Sequence, residues 1–223
     1  MIDTRLHDWR IEEREYRRQE ERRGRRHAYE TLTPARTALV VVDMVPFFVA
    51  ESAYCRGIVP NINAIATSLR DAGGLVAWVV PGEPRHALLH RAFYGEKIAA
   101  LYRGSGGSGP LPSRVWPGLV HEARDLFVEK ASSSAFLPGY CDLPETLRSR
   151  GIDTVLITGT VTNVCCESSA RDAGSTGFRV LMVADGNAAR RDEDHNATLH
   201  TVYRSFGDVR PTAEVIGLIE KRA

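Results

Sequence analysis

Cysteine is scarce in this chain, net charge is almost nil and long apolar runs are missing, and each shortage removes a class of function. Cys55, Cys141, Cys165 and Cys166 are the four cysteines in 223 residues, too few for a disulfide scaffold. No CxxC spacing occurs among them, which argues against a zinc knuckle. Lysine and arginine number 29 against 28 aspartate and glutamate, a formal charge of +1. That balance points neither to nucleic acid nor to an anionic membrane surface as partner. No apolar stretch approaches the roughly 20 residues that span a bilayer. The first residues are polar and lack the apolar core of a secretory signal, so the expected location is the cytoplasm. No internal repeat is present.

What the chain does have is the composition of a soluble α/β domain, 43% hydrophobic and 26% charged. Residues 1–32 read as a charged helical extension. Within it, 3–28 interleaves glutamate and arginine at i,i+3 and i,i+4 spacings, the pattern of a solvated helix. Leu6, Trp9, Ile11 and Tyr16 are its sparse apolar points, available for docking on the body or on another subunit. Residues 33–223 read as the domain proper. TALVVVDM (37–44) is a continuous β-branched run, the mark of a strand buried on both faces. Further strands are expected at 75–80, 125–130, 154–159 and 179–185, with a short edge strand in 208–212. Helices are expected at 58–72, 86–102, 143–151, 192–206 and 213–221, and after the fourth strand. Strand and helix alternate, which predicts a doubly wound, mostly parallel sheet of about six strands with helices on both faces. VDMVPF follows the first strand where a dinucleotide-binding protein carries G-x-G-x-x-G, so the oxidoreductase reading of such a sheet is set aside.

Sites in such sheets lie beyond the carboxyl ends of the strands. Asp43 ends the first strand, Lys130 the third, and Cys165 lies just past the fourth. Singly, each has an ordinary explanation: a turn aspartate, a solvated lysine, a small buried hydrophobe. Together they make a thiol nucleophile, a carboxylate base and a cation. The amino end of a helix favours thiolate and a nearby Lys130 does so further, so Cys165 is expected to titrate low. Cys166 points about 100° around the helix from it, toward the sheet, and is read as core filling.

ALVVVDM, VEKASSSAF and GTVTNVCCESSARDA resemble, in order and spacing, the three signature segments of the isochorismatase-like cysteine hydrolases. The resemblance covers about residues 33–217 and is strongest to the N-carbamoylsarcosine amidase and ureidoacrylate amidohydrolase branch. It implies Asp43 as general base, Lys130 as triad lysine and Cys165 as nucleophile. It also implies a cis peptide between Thr160 and Val161, with the backbone N–H groups of Val161 and Cys165 as an oxyanion hole. The implied activity is hydrolysis of a C–N bond in a small amide, ureido or carbamoyl compound, through a thioester and without a cofactor. A homo-oligomer is implied as well. A catalytically idle family member, serving as a binding or assembly subunit, is the alternative.

The chain also departs from relatives. WVVPGEPRHALLHR holds His86 and His90 but no aspartate at the spacing of the nicotinamidase metal site, so no metal is expected. Phe48 and Phe136 follow the first and third strands and have two readings, pocket lining and core packing. Asn163 reads as a helix cap, Arg171 and Asp172 as a structural ion pair or subunit contact, and His195 as a surface or interface residue.

Overall fold

The computed structural model describes residues 3–221. An extended stretch leads into helix α1 (Glu13–Arg23). Strand β1 (Thr37–Val42) is buried at every position. Two short helices, α2 (Pro46–Val49) and α3 (Ala53–Gly57), lead to α4 (Val59–Asp71). Strand β2 (Leu75–Pro81) is followed by α5 (Ala87–Tyr94), α6 (Glu96–Arg103) and α7 (Leu111–Arg114). Then come β3 (Leu126–Lys130), α8 (Leu143–Ser149) and β4 (Thr154–Thr160). A widened helical turn, Thr162–Cys166, runs directly into α9 (Glu167–Ser175). The chain closes with β5 (Arg179–Ala188), α10 (Asp192–Ser205), β6 (Asp208–Arg210) and α11 (Thr212–Glu220).

The six strands form one sheet in the order β3-β2-β1-β4-β5-β6, and every neighbouring pair is parallel. Side-chain alternation along the strands divides the core in two. Ala38, Val40 and Val42 of β1 join Val155 and Ile157 of β4 under α8, α9 and α10. Leu39 and Val41 join Leu156 on the other face, under α4 and α11, where Ile62, Ile65, Leu69, Val215 and Ile219 pack. Both faces being covered explains the unbroken apolar runs of the inner strands. After β1 the chain winds outward through β2 and β3, then returns to lay β4 on the opposite side of β1. The switch of direction between β1 and β4 opens the crevice where such folds bind ligands. Among the described residues no helix is long and apolar enough to cross a membrane.

Two helix boundaries differ from expectation. Residues 3–12 are extended rather than helical, because the body supplies their backbone partners: Arg5 N–H donates to Ala53 O (3.0 Å) and Arg10 N–H to Asn196 Oδ1 (2.7 Å). The helix expected over 86–102 is two helices, broken at Gly95.

Candidate active site

Asp43 is the first residue after β1. Its φ of 54° is uncommon for any residue but glycine, though aspartate and asparagine tolerate it best. The turn is held by Asp43 N–H donating to Val79 O (2.9 Å) and Val45 N–H donating to Asp43 O (2.8 Å). Lys130 is the last residue of β3, and Cys165 sits in the widened turn that starts the helix after β4. Gly159 lets the ends of β1 and β4 come this close. Its φ is 115°, and a Cβ there would collide with the Val42 carbonyl.

The structure brings Asp43, Lys130 and Cys165 together. Lys130 Nζ is 2.9 Å from Asp43 Oδ2 and 3.5 Å from Cys165 Sγ, and it donates to Ser132 O at 3.0 Å. The Asp43 and Lys130 side chains are 1% and 4% exposed, whereas Cys165 is only partly buried. Asp43 Oδ1 is buried without a well-formed hydrogen bond among the described residues, and the carboxylate faces the Cys165 thiol. Burial raises the Asp43 carboxyl above its ordinary value, although Lys130 and Cys165 pull the other way. Burial alone would lower Lys130, but Asp43 and Cys165 hold it above its ordinary value. The Cys165 thiol is pushed up to about 12, first by burial and then by the Asp43 charge, with Lys130 compensating only in part. The expected low-titrating thiol is thus corrected: desolvation and the carboxylate outweigh the helix end and the cation.

Cys166 is fully buried in the core beneath α9 and α10, and its thiol is likewise raised well above the ordinary value by burial. All four cysteines are free thiols. The peptide bond between Thr160 and Val161 is cis. A serine network that the sequence did not single out ties the site together. Ser169 Oγ donates to Cys165 O (2.7 Å) and accepts from Ala135 N–H (3.0 Å), so the nucleophile turn and the loop after β3 are cross-braced. The small-residue run ASSSAF was the only sequence signal of it.

A cleft of about 890 Å³ is lined by Val164 and Val161, chain neighbours of Cys165, and not by Asp43, Lys130 or Cys165 themselves. Its wall includes Thr160, Val161, Asn163 and Val164 on one side, Phe47, Phe48 and Tyr54 on another, and Ala189 and Arg190 on a third. Phe48 lines it. Phe136 does not: it is fully buried and meets Phe178 edge-on at 5.4 Å, because the loop after β3 turns inward beneath the sheet. Asn163 also faces the cleft and makes no cap hydrogen bond. His195 is not a surface residue. It is fully buried, hydrogen-bonded to Thr162 Oγ1 and Ala184 O (3.0 Å each), and held down to about 3 by burial. Arg171 pairs with Glu167 rather than Asp172, and His86 with the Tyr140 hydroxyl. A larger groove, about 1080 Å³ between α4 and α11, contains none of the candidate residues.

Known proteins resemble this chain in sequence and fold. Residues 37–214 match the isochorismatase domain. The uncharacterized isochorismatase family protein YwoC of Bacillus subtilis is 30% identical over 81% of this chain and 93% of its own length. The ureidoacrylate amidohydrolase RutB of Agrobacterium fabrum is 28% identical over 86% of this chain and 94% of its own. A cysteine hydrolase from Pseudomonas syringae pv. phaseolicola superposes with a TM-score of 0.75 at 28% identity, covering 87% of this chain and 97% of that one. With its sheet order, its sequence match and its relatives in agreement, the chain belongs to the isochorismatase family of hydrolases.

Proposed function

We propose that the protein is a cysteine amidohydrolase that cleaves the C–N bond of a small amide, ureido or carbamoyl compound, with Asp43, Lys130 and Cys165 as its catalytic residues. The observation that carries the reading is the buried meeting of the three side chains, with Lys130 Nζ 2.9 Å from Asp43 Oδ2 and 3.5 Å from Cys165 Sγ. A buried carboxylate placed against a thiol is a competent base. As sulfur attacks the substrate carbonyl carbon, Asp43 takes the thiol proton and a C–S bond forms. The oxygen that gains charge is met by the backbone N–H groups of Val161 and Cys165. Lys130 keeps the local charge balanced. The C–N bond then breaks, Asp43 returns its proton to the leaving nitrogen, and a thioester remains. Water, losing a proton to Asp43, attacks the thioester. The acid departs and the proton passes back to sulfur. No cofactor enters the scheme.

Amidohydrolase relatives such as RutB support this choice of bond. Phe48 supports an apolar contact with the substrate, and Arg190, an exposed cation on the cleft wall, favours a substrate bearing a carboxylate. The same proposal places the enzyme in the cytoplasm as a homo-oligomer. Leu88, Leu89 and Phe93, exposed on α5, favour subunit contact there.

The test is ammonia release from a panel of primary amides, N-carbamoyl amino acids and ureido acids. We expect release with at least one class and none with Cys165→Ala, whose fold should be intact. Normal turnover by Cys165→Ala would end the scheme.

A further inference from the structure

The charged amino-terminal stretch lies outside the residues that match the family domain, yet its His7 contacts Ala189, a residue that lines the cleft. We infer that residues 3–12 form a strap completing the cleft's rear wall, and that His7 is a positioning residue that sets the Ala189–Arg190 segment and Tyr54 through two hydrogen bonds and a ring stack.

Both ends of the strap are pinned to elements that flank the cleft. On α3, Arg5 N–H donates to Ala53 O, and Arg56 Nε donates to Asp3 O at 2.9 Å. Gly57 allows the crossing, since a Cβ there would collide with the Arg5 carbonyl. On α10, Arg10 N–H donates to Asn196 Oδ1, and Asn196 Nδ2 donates to Asp8 O at 3.0 Å.

Between these pins lies His7, buried within a run of otherwise exposed neighbours. Its Nε2 accepts from Ala189 N–H at 2.9 Å, so the ring proton is on Nδ1, which donates to Asp192 Oδ1 at 2.6 Å. One neutral tautomer satisfies both bonds. The ring stacks on Tyr54 (centroids 3.9 Å, 8°) and on His195 (4.2 Å, 14°). Tyr54, Ala189 and Arg190 line the cleft. His195 in turn holds the Thr162 hydroxyl, in the turn that carries Cys165. A single side chain from outside the family domain therefore touches three walls of the cleft, directly or through one partner. Its role in turnover takes the cleft to be the substrate's, as proposed above.

The test uses the full-length protein with His7→Phe, His7→Gln and, as a control on the same strap, Leu6→Ala, which alters an exposed side chain. Phenylalanine keeps the stack and loses both hydrogen bonds, whereas glutamine offers Oε1 to the Ala189 amide. For His7→Phe we expect amide exchange in 186–191 to rise about tenfold while β1 and β4 are unchanged, the scale of one lost hydrogen bond. On any amide that releases ammonia, KM should rise about tenfold with kcat within about threefold, a binding rather than a chemical loss. His7→Gln should recover most of both, and Leu6→Ala should match wild type. Wild-type exchange and KM in His7→Phe would overturn the inference. So would a fall in kcat and thermal stability at unchanged KM, or failure of His7→Gln to recover. If the wild type releases no ammonia, the amidohydrolase reading fails instead. The exchange difference, together with the rate at which iodoacetamide alkylates Cys165 at alkaline pH, still decides the strap.

Discussion

Strand β3 carries a buried ion pair at each end. At its amino end Asp125 meets Arg70, and at its carboxyl end Lys130 meets Asp43. Both pairs are almost wholly shielded, with side chains 4% exposed or less. They differ in saturation. Asp125 Oδ1 accepts from Arg70 Nε (3.0 Å), and Oδ2 accepts from Arg70 Nη2 (2.6 Å), Trp78 Nε1 (2.8 Å) and Glu122 N–H (2.9 Å). Asp43 has Lys130 on Oδ2, and the Cys165 thiol is the other polar group that acts on its carboxylate. The guanidinium fork fills a carboxylate from two directions, whereas an ammonium is a point charge that leaves room. Charge and burial alone do not separate the two sites. The number of donors on the carboxylate does, and the less filled one, Asp43, is the one that faces a thiol.

Each end of the comparison can be broken separately. The largest effect is expected from Asp43→Asn, which keeps the shape and removes the base. Its kcat should fall by about a thousandfold or more, within the range of general acid–base catalysis, with the circular dichroism spectrum unchanged. A loss of only a few fold would mean that Asp43 does not move the proton. At the other end, Asp125→Asn uncouples a buried arginine and should cost about 3–5 kcal/mol in chemical denaturation. The folded fraction should keep kcat within about twofold, because Asp125 lies at the far end of the strand. Equal damage to kcat would erase the distinction between the pairs. The smallest effect sharpens the comparison through pH. The proposed scheme requires ionised Asp43, and burial holds that carboxyl above its ordinary value of 3.8, so activity should be lost as pH falls through the raised value. The acid limb of kcat/KM should therefore lie above 3.8, and a limb at or below that value would contradict the desolvated base.

Much of this architecture was legible before any coordinates. Inner parallel strands, buried on both faces, leave continuous β-branched runs such as ALVVV, and an aspartate ending such a run is conspicuous. The two cysteines separate by helical geometry alone, since neighbours on a helix face different ways. Other residues carried no such signal. Phe136 and Phe48 follow strands in similar fashion, yet one turns under the sheet and the other lines the cleft. His195 sits in a polar stretch, DEDHN, that reads as solvated, and is buried because α10 turns it onto Thr162 and Ala184 and the strap's His7 stacks over it. The widened turn at Thr162–Cys166 has no periodicity to betray it.

The titration of Cys165 shows most plainly where local reasoning stops. A helix start and a lysine favour thiolate, and both are local or pairwise facts. Desolvation depends on everything packed around the sulfur, and it prevails here, pushing the thiol up to about 12.

The sequence by itself determined the strand–helix alternation, the parallel sheet and the three side chains that meet beyond it, because burial patterning and chain order are written locally. Only the tertiary structure decided how few donors reach the buried Asp43 carboxylate, how far burial raises the thiol, and that a charged amino-terminal stretch folds back to place His7 against residues of the cleft. Those outcomes come from contacts between residues far apart in the chain, and no local pattern records them.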